Sequence, residues 1–176
     1  MKNGIVLTVI MLFLFSVSGI AAEDKESQWK DINMKIAAAM EQGNLEAALA
    51  AALESLDFAK KEFGAKDVHA ARAMNNLANL YLYQNKMDEA EKLYREAIGI
   101  EETVLGRDNI EVADTLFNLA MVAAMRKQYH EADSLLTSTL KIKEQKLGVD
   151  HPDIQRIHAA KFEIQKDSQA AVKREI

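Results

Sequence analysis

The sequence predicts an all-α protein in which antiparallel helix hairpins stack side by side into a solenoid. The 176 residues include only one proline and seven glycines, and no stretch alternates apolar and polar β-branched residues as a strand would. The chain also repeats itself every 42 residues. A repeat of this length is typical of helix pairs that bury their apolar faces only by stacking on neighbouring pairs.

Three glycines mark the period: Gly64, Gly106 and Gly148 are each 42 residues apart. The same offset relates Leu77-Ala78 to Leu119-Ala120 and Glu89-Ala90 to Glu131-Ala132. Because so many positions agree at one offset, the sequence indicates repeated units rather than one helical stretch with uniform composition.

Each unit divides into two helices, which we name A and B. In the best-defined unit, helix A is predicted over residues 68–83 and helix B over residues 87–105, because apolar residues recur at intervals of three and four. The polar turn 84–86 contains Asn85, which tolerates the left-handed conformation that ends a helix. Gly106 is expected to end helix B.

The start of each A helix has its own signal. Asn109 is a preferred N-cap residue, and Asp67 and His151 hold the same place in the neighbouring units. Pro152 follows His151 at a first-turn position, where its missing N–H costs nothing.

Small residues recur where helices are expected to approach closely. Ala78 and Ala90 are predicted to let helix A approach helix B, and Ala97 is predicted to let helix B approach the next helix A.

The two ends of the repeat region depart from the pattern. The first unit is read from Ile36-Ala37 with a turn one residue shorter, and Trp29 is expected at the start of its first helix. At the other end, residues 152–166 predict a polar capping helix, which a solenoid needs. The repeat domain therefore spans 23–166, with about three repeats, and a C-terminal tail, 167–176, continues the capping helix in frayed form.

The units resemble the tetratricopeptide repeat over about residues 29–165. The resemblance rests on a Leu-Ala pair, a later tyrosine, an aromatic or methionine after the turn, and further small residues. In this chain the pattern is read from Leu77-Ala78, Tyr81, Met87, Ala90, Tyr94 and Ala97, and again from Leu119-Ala120, Tyr129, Ala132 and Leu136. The 42-residue period resembles the longer repeats of kinesin light chains. The resemblance implies a right-handed superhelical solenoid that binds peptides in a concave groove lined by the A helices.

The first 22 residues have the composition of a secretory signal peptide. Lys2 precedes an apolar run from Ile5 to Val17, and small residues follow as far as Ala22. We expect cleavage after Ala21 or Ala22 and a periplasmic or secreted bacterial protein. The run is short for a membrane span, which needs about 20 residues, but an uncleaved anchor is the alternative.

Charge and cysteine content narrow the class of partner. Removing residues 1–22 leaves 21 basic and 27 acidic residues, a formal charge of −6, which does not favour nucleic acid. The chain has no cysteine, so disulfides cannot stabilise it and a lipoprotein anchor on cysteine is not expected.

The candidate site consists of the helix A residues that lie off the apolar stripe. Asparagine side chains both donate and accept, so Asn76 and Asn118, one period apart, are predicted to form a ladder that holds a peptide backbone. The alternative is that these are solvated helix positions. The predicted peptide-binding residues are Arg72, Asn75, Asn76, Asn79, Tyr83, Asp114, Phe117, Asn118, Met121 and Met125.

The sequence gives little support for catalysis or metal binding. The four histidines do not show metal-site spacing, the Glu101-Glu102 pair implies no pocket, and no phosphate loop or nucleophile motif occurs. We therefore predict no catalysis, no metal and no cofactor. Arg72 is the only clear cation in the groove, so the family's clamp for terminal carboxylates is not expected.

These observations predict an exported scaffold that binds a peptide segment or partner protein. The alternative is a self-associating structural repeat protein, a homodimer that stacks through its terminal helices, where Trp29, Ile32 and Ile36 are expected to be exposed.

Overall fold

The computed structural model describes residues 24–175, so the predicted signal peptide at 1–22 lies outside the described residues. Within that range the chain forms helices joined by short turns, and no strand occurs, which confirms the predicted all-α class. The helices of this part of the chain are α1 (24–41), α2 (Leu45–Glu62), α3 (Val68–Tyr83), α4 (Met87–Val104), α5 (Ile110–Met125), α6 (Tyr129–Leu147) and α7 (Pro152–Glu175).

The helices pair as the repeat predicts. The A helices α1, α3 and α5 are each followed by a B helix, α2, α4 and α6, and α7 completes the stack. From α2 onward each helix packs against the next one along the chain. This order of contacts is that of a solenoid, in which every unit covers the apolar face of its neighbour.

The predicted column of N-caps is confirmed. The side chains of Asp67, Asn109 and His151 each accept a hydrogen bond from the backbone N–H two residues later, at 2.9, 2.8 and 3.2 Å. Each bond satisfies one of the N–H groups that a helix start leaves without a partner.

The turn inside each hairpin also repeats. Gly43, Asn85 and Lys127 lie 42 residues apart and all have positive φ angles, 68°, 59° and 62°. Asparagine was the expected residue for this conformation. The left-handed conformation at Lys127 costs about 1–2 kcal/mol, because the Cβ of the lysine lies too close to the following carbonyl oxygen.

Alanines mark the close contacts within the hairpin of α3 and α4. Ala78 and Ala90 are fully buried in one cluster, as predicted. Ala97 was expected beside the following A helix, but it clusters with Ala71 and Met74 of α3. The two helices of this hairpin therefore stay in contact along their length, and the small side chains serve the hairpin at both ends.

The expected exposure of the first helix is wrong. Trp29, Ile32 and Ile36 are only 7%, 6% and 9% exposed. Trp29 packs against Ala59 of α2 and Ala70 of α3. Because α1 is covered by two helices at once, these three residues point inward and do not form the stacking surface that the alternative prediction required.

The last helix extends beyond the predicted cap. Residues 152–166 and 167–175 form one continuous helix, α7, so position 166 is not a break in secondary structure. Three isoleucines of α7 are buried against the end of the solenoid: Ile154, Ile157 and Ile164. Lys161, which stands where the repeat has leucine, reaches back to α6 and lies 2.9 Å from Asp133. None of the helices within 24–175 is both long and apolar enough to span a bilayer.

Candidate functional site

Two neighbouring cavities lie along the surface formed by α1, α3 and α5, which we call the A-helix face. One, of 340 Å³, lies between α1 and α3, and the other, of 230 Å³, lies among α3, α4 and α5. Asn76 lines both. Of the predicted site residues, the first cavity gathers Asn76, Asn79 and Tyr83, and the second gathers Arg72, Asn75, Asn76 and Asp114.

The other predicted residues line neither cavity. Phe117 and Met121 are half-buried and pack against the core shared by α5, α6 and α7. The Arg156 guanidinium lies 5.2 Å from the centre of the Phe117 ring, within the range of a cation–π contact. Met125 is 51% exposed. The apolar floor expected here is therefore partly occupied by α7, while the binding role of these residues stays a prediction.

The asparagines bond across helices rather than along the predicted ladder. Asn76 and Asn118 do not pair with each other. Asn76 donates to Oδ1 of Asn33 at 3.2 Å, and Asn118 donates to Oδ1 of Asn75 at 3.0 Å. The expected shorter first turn is wrong, because residues 42–44 join α1 to α2 just as residues 84–86 join α3 to α4. Asn33 therefore lies one period before Asn75, a match that sequence reasoning missed. Each amide is thus fixed by one bond while its other polar atom remains available for a ligand.

A chain of hydrogen bonds leads from the asparagines of the A-helix face into the core. Asn118 donates to Asn75, Asn75 donates to Thr115 Oγ1 at 3.1 Å, and Thr115 donates to Oε1 of Glu101 at 3.1 Å. The chain crosses between α5 and α3 twice and ends on α4. Consecutive bonds of this kind polarise one another and hold every member in one orientation.

Glu101 is the residue that sequence reasoning placed outside any pocket, and that interpretation is wrong. Its side chain lines the 230 Å³ cavity and is 1% exposed. Its Oε2 is buried and has no hydrogen-bond partner among the described residues. Burial raises the pKa of the Glu101 carboxyl to about 7, with contributions from Glu111 and Asp114, against the opposing effects of Thr115 and Arg72. The only sign of this role in the sequence was the position of Glu101 in the repeat, because Lys143 lies one period later at the same position.

Arg72 does not form an ion pair with Glu101. Its Nε and Nη2 atoms donate to the two carboxylate oxygens of Glu111, both at 2.7 Å. This fork joins α3 to α5 and lowers the pKa of Glu111. The predicted groove cation is therefore already used to join successive units.

One period later the B helix carries a cation where α4 carries Glu101, and both neighbouring A-position helices carry acids. Lys143 of α6 is 2% exposed, and its Nζ lies 2.6 Å from Asp114 and 2.5 Å from Asp153. Burial alone would lower the pKa of Lys143, but the two carboxylates outweigh it and raise the pKa. The bond to Lys143 in turn lowers the pKa of Asp153.

The rim of the first cavity combines a fixed amide with an exposed ring. The hydroxyl of buried Tyr94 donates to Oδ1 of Asn79 at 2.7 Å, and burial raises the pKa of Tyr94 well above its usual value. Tyr83 is 71% exposed and stands beside Asn79 at the cavity. A rigid amide next to an open aromatic ring suits an extended peptide, which presents backbone groups and side chains together.

A larger cavity, of 510 Å³, lies away from the A-helix face. It is formed by the turn before α6 and the last part of α7, with Tyr129, His130 and Val172 among its walls. Its walls include none of the buried side-chain atoms that lack a partner. It therefore lacks a buried group without a partner, such as Oε2 of Glu101 in the 230 Å³ cavity.

The histidines have structural surroundings. His69 is stacked on Phe63, with ring centres 3.9 Å apart, and its two nitrogens contact Asp67 and Glu26. His151 is the N-cap of α7, and His158 is exposed. Across residues 24–175, no three acidic or histidine side chains are grouped as a metal site requires.

Comparison with protein families identifies the repeat. The model of the tetratricopeptide repeat matches residues 32–102 and 86–145. Among curated proteins no relative is found.

Solved structures share the fold. The crystal structure of BtubC (BKLC) from P. vanneervenii superposes with a TM-score of 0.72 at 18% identity and covers 85% of this chain, which itself covers 62% of that protein. A putative kinesin light chain with nearly identical TPR-like repeats from Podospora anserina superposes with a TM-score of 0.71 at 18% identity, covering 84% of this chain and 71% of the other. The predicted similarity to kinesin light chain repeats is confirmed at the level of the fold.

Proposed function

Because the chain belongs to the tetratricopeptide-repeat family, we propose that it is an exported scaffold that holds an extended segment of a partner protein along its A-helix face. The proposed role is binding and requires no catalytic step. The observation that carries it is the position of Asn76, which lines both cavities of this face. One segment lying across Asn76 reaches both cavities at once.

The amides of the face support this role. Asn76 and Asn118 each donate one hydrogen bond to a neighbouring A helix, and Asn79 accepts one from Tyr94. An amide fixed in this way loses little further rotamer freedom on binding, so more of its interaction energy remains for the ligand. Amide groups also pair with a peptide backbone whatever its side chains are.

A photo-crosslinking experiment tests the binding face. We place p-benzoylphenylalanine at Tyr83, on the rim of the first cavity, and separately at Val104, which is 48% exposed on helix α4. Irradiation of native cells should give a discrete adduct at position 83, weakened by Asn76→Ala, and none at position 104. Equal adducts at both positions would reject the assignment to this face.

Export is a separate part of the proposal and rests on residues 1–22. Fractionation of native cells followed by N-terminal sequencing should find a mature chain that begins at Ala22 or Glu23. A chain that retains Lys2 in the membrane fraction would indicate the uncleaved anchor, and a full-length chain in the cytoplasm would reject export.

A further inference from the structure

The cavity beside Glu101 contains an acid that the protein does not pair with a cation. Its walls contain the acids Glu101, Glu111 and Asp114 and the cation Arg72. Arg72 pairs with Glu111, and Asp114 is held by Lys143 from α6. After these pairs are made, Glu101 is the acid that remains without a cation.

The unpaired carboxyl is also well defined in position. Glu101 is 1% exposed, and Oε1 is held by Thr115 at 3.1 Å while Oε2 has no partner within residues 24–175. A buried carboxyl oxygen without a hydrogen-bond partner is costly, because it loses its hydration and gains nothing in return. Here the carboxyl is preoriented by the hydrogen-bond chain that begins at Asn118.

We propose that this cavity binds a basic side chain of the partner's segment, lysine or arginine, whose cationic group donates to Oε2 of Glu101. The inference rests on the proposed function, because it names the side chain that the A-helix face selects. A cavity of 230 Å³ has room for one side-chain head group and not for a folded surface.

Other ligand classes fit less well. An anion would meet the three acids of the cavity against one cation already in use. A divalent metal ion prefers several oxygen ligands, but two of the three carboxylates are committed to Arg72 and Lys143. A peptide carbonyl is the remaining competitor, since a protonated Glu101 would donate to it. The tests below separate that outcome from the binding of a cation.

The first test uses n-butylammonium chloride as the probe. The full chain, labelled with ¹³C at the glutamate carboxyls, is titrated with acid and base by NMR in this salt and in sodium chloride of equal ionic strength. Glu101→Gln identifies the signal. A cation at hydrogen-bond distance stabilises the carboxylate, so the pKa of Glu101 should be lower by about one unit in the organic salt. Equal pKa values in the two salts overturn the proposal.

The second test selects ligands for the full chain from random peptides displayed on phage. Lysine and arginine should be enriched about tenfold at one peptide position, the effect of a single charge-assisted hydrogen bond. Glu101→Gln should lose this enrichment, while the control Glu96→Gln, at an exposed position of the same helix, should keep it. Enrichment that survives Glu101→Gln, or binding that strengthens as Glu101 becomes protonated, overturns the proposal.

The two tests also separate this inference from the proposed function. If no peptide is selected at all, binding of a segment by this face is rejected, and the NMR titration still decides whether the cavity accepts a cation. If peptides are selected without a basic preference, the scaffold role stands and the cation site is rejected.

Discussion

Two joints between successive units use the same three positions and arrange their charges differently. At the first joint the positions hold Arg72, Glu101 and Glu111; one period later they hold Asp114, Lys143 and Asp153. Each set contains one cation and two acids. The difference lies in which helix carries the cation, because it is on a flanking A helix at the first joint and on the central B helix at the second.

That placement decides whether the joint is satisfied. A central cation pairs with both flanking acids, and Lys143 does so at 2.6 and 2.5 Å. A flanking cation pairs with the opposite flank, as Arg72 does with Glu111, and the central acid is left out. A buried ionisable side chain at this position of the repeat is therefore structural when its neighbours are complementary, and it is free for a ligand when they are not.

The largest expected effect comes from breaking the satisfied joint. Lys143→Met removes the hydrogen bonds from buried Lys143 to Asp114 and Asp153, and two such bonds between charged groups together contribute about 3–4 kcal/mol. The free energy of unfolding, measured by urea denaturation, should fall by that amount. The control is Lys141→Met, at an exposed position of the same helix. Equal losses in the two variants would show that Lys143 does not hold the joint.

The next prediction tests whether Glu101, at the other joint, is without a charged partner when no ligand is bound. The pKa of Glu101 is about 7 in the folded chain, against an ordinary value of 4.5. Between these values the folded state binds the extra proton, so Glu101 makes stability fall as pH rises, and the loss is complete above about 7. The loss should be about 3 kcal/mol, since each pKa unit between the two values corresponds to about 1.4 kcal/mol.

The variant Glu101→Gln isolates this contribution. Other acids, including Glu26 and Asp67, have lowered pKa values and make stability fall at acid pH, but they do so equally in both proteins. The difference between the two curves of unfolding free energy against pH therefore reports Glu101. A difference that is constant with pH would mean that Glu101 is not buried as a carboxyl that resists ionisation.

A smaller effect is expected at the hydroxyl that supports Glu101. Thr115→Val removes the donor to Oε1 and the acceptor for Asn75, and leaving such buried groups unpaired costs about 1–2 kcal/mol. The control is Thr139→Val, another buried threonine, whose hydroxyl bonds the backbone carbonyl of Leu135 in its own helix at 2.9 Å. Urea unfolding should show the larger loss for Thr115→Val, and equal losses would contradict the chain of hydrogen bonds.

The fold was predictable from the sequence because its signals are local. Caps at Asp67 and Asn109 and the left-handed turn at Asn85 depend on residues close in the chain, and the 42-residue period repeats them. The exposure of Trp29 was mispredicted because burial at an end depends on how many helices cover it. That information is not present in one helix's pattern.

The site was predicted only in part for a related reason. The periodicity placed Arg72, Asn75 and Asn76 together on the A-helix face, but it could not show that their partners come from units about 40 residues away. Glu101 looked like an ordinary charge at a helix end. Whether a charge is satisfied depends on the charges of two other helices, and a motif search treats each unit separately.

The smallest expected effect sharpens the comparison at the surface end of the hydrogen-bond chain. Asn118 is half-buried, so Asn118→Ala loses one partly solvated bond, worth about 0.5–1 kcal/mol. A double-mutant cycle with Asn75→Ala should give a coupling energy of about 0.5 kcal/mol or more, because the two amides bond directly. Additive losses would show that the amides are independent. In that case Thr115 alone fixes the orientation of Glu101, and a ligand that binds the asparagines of the A-helix face does not affect the buried carboxyl.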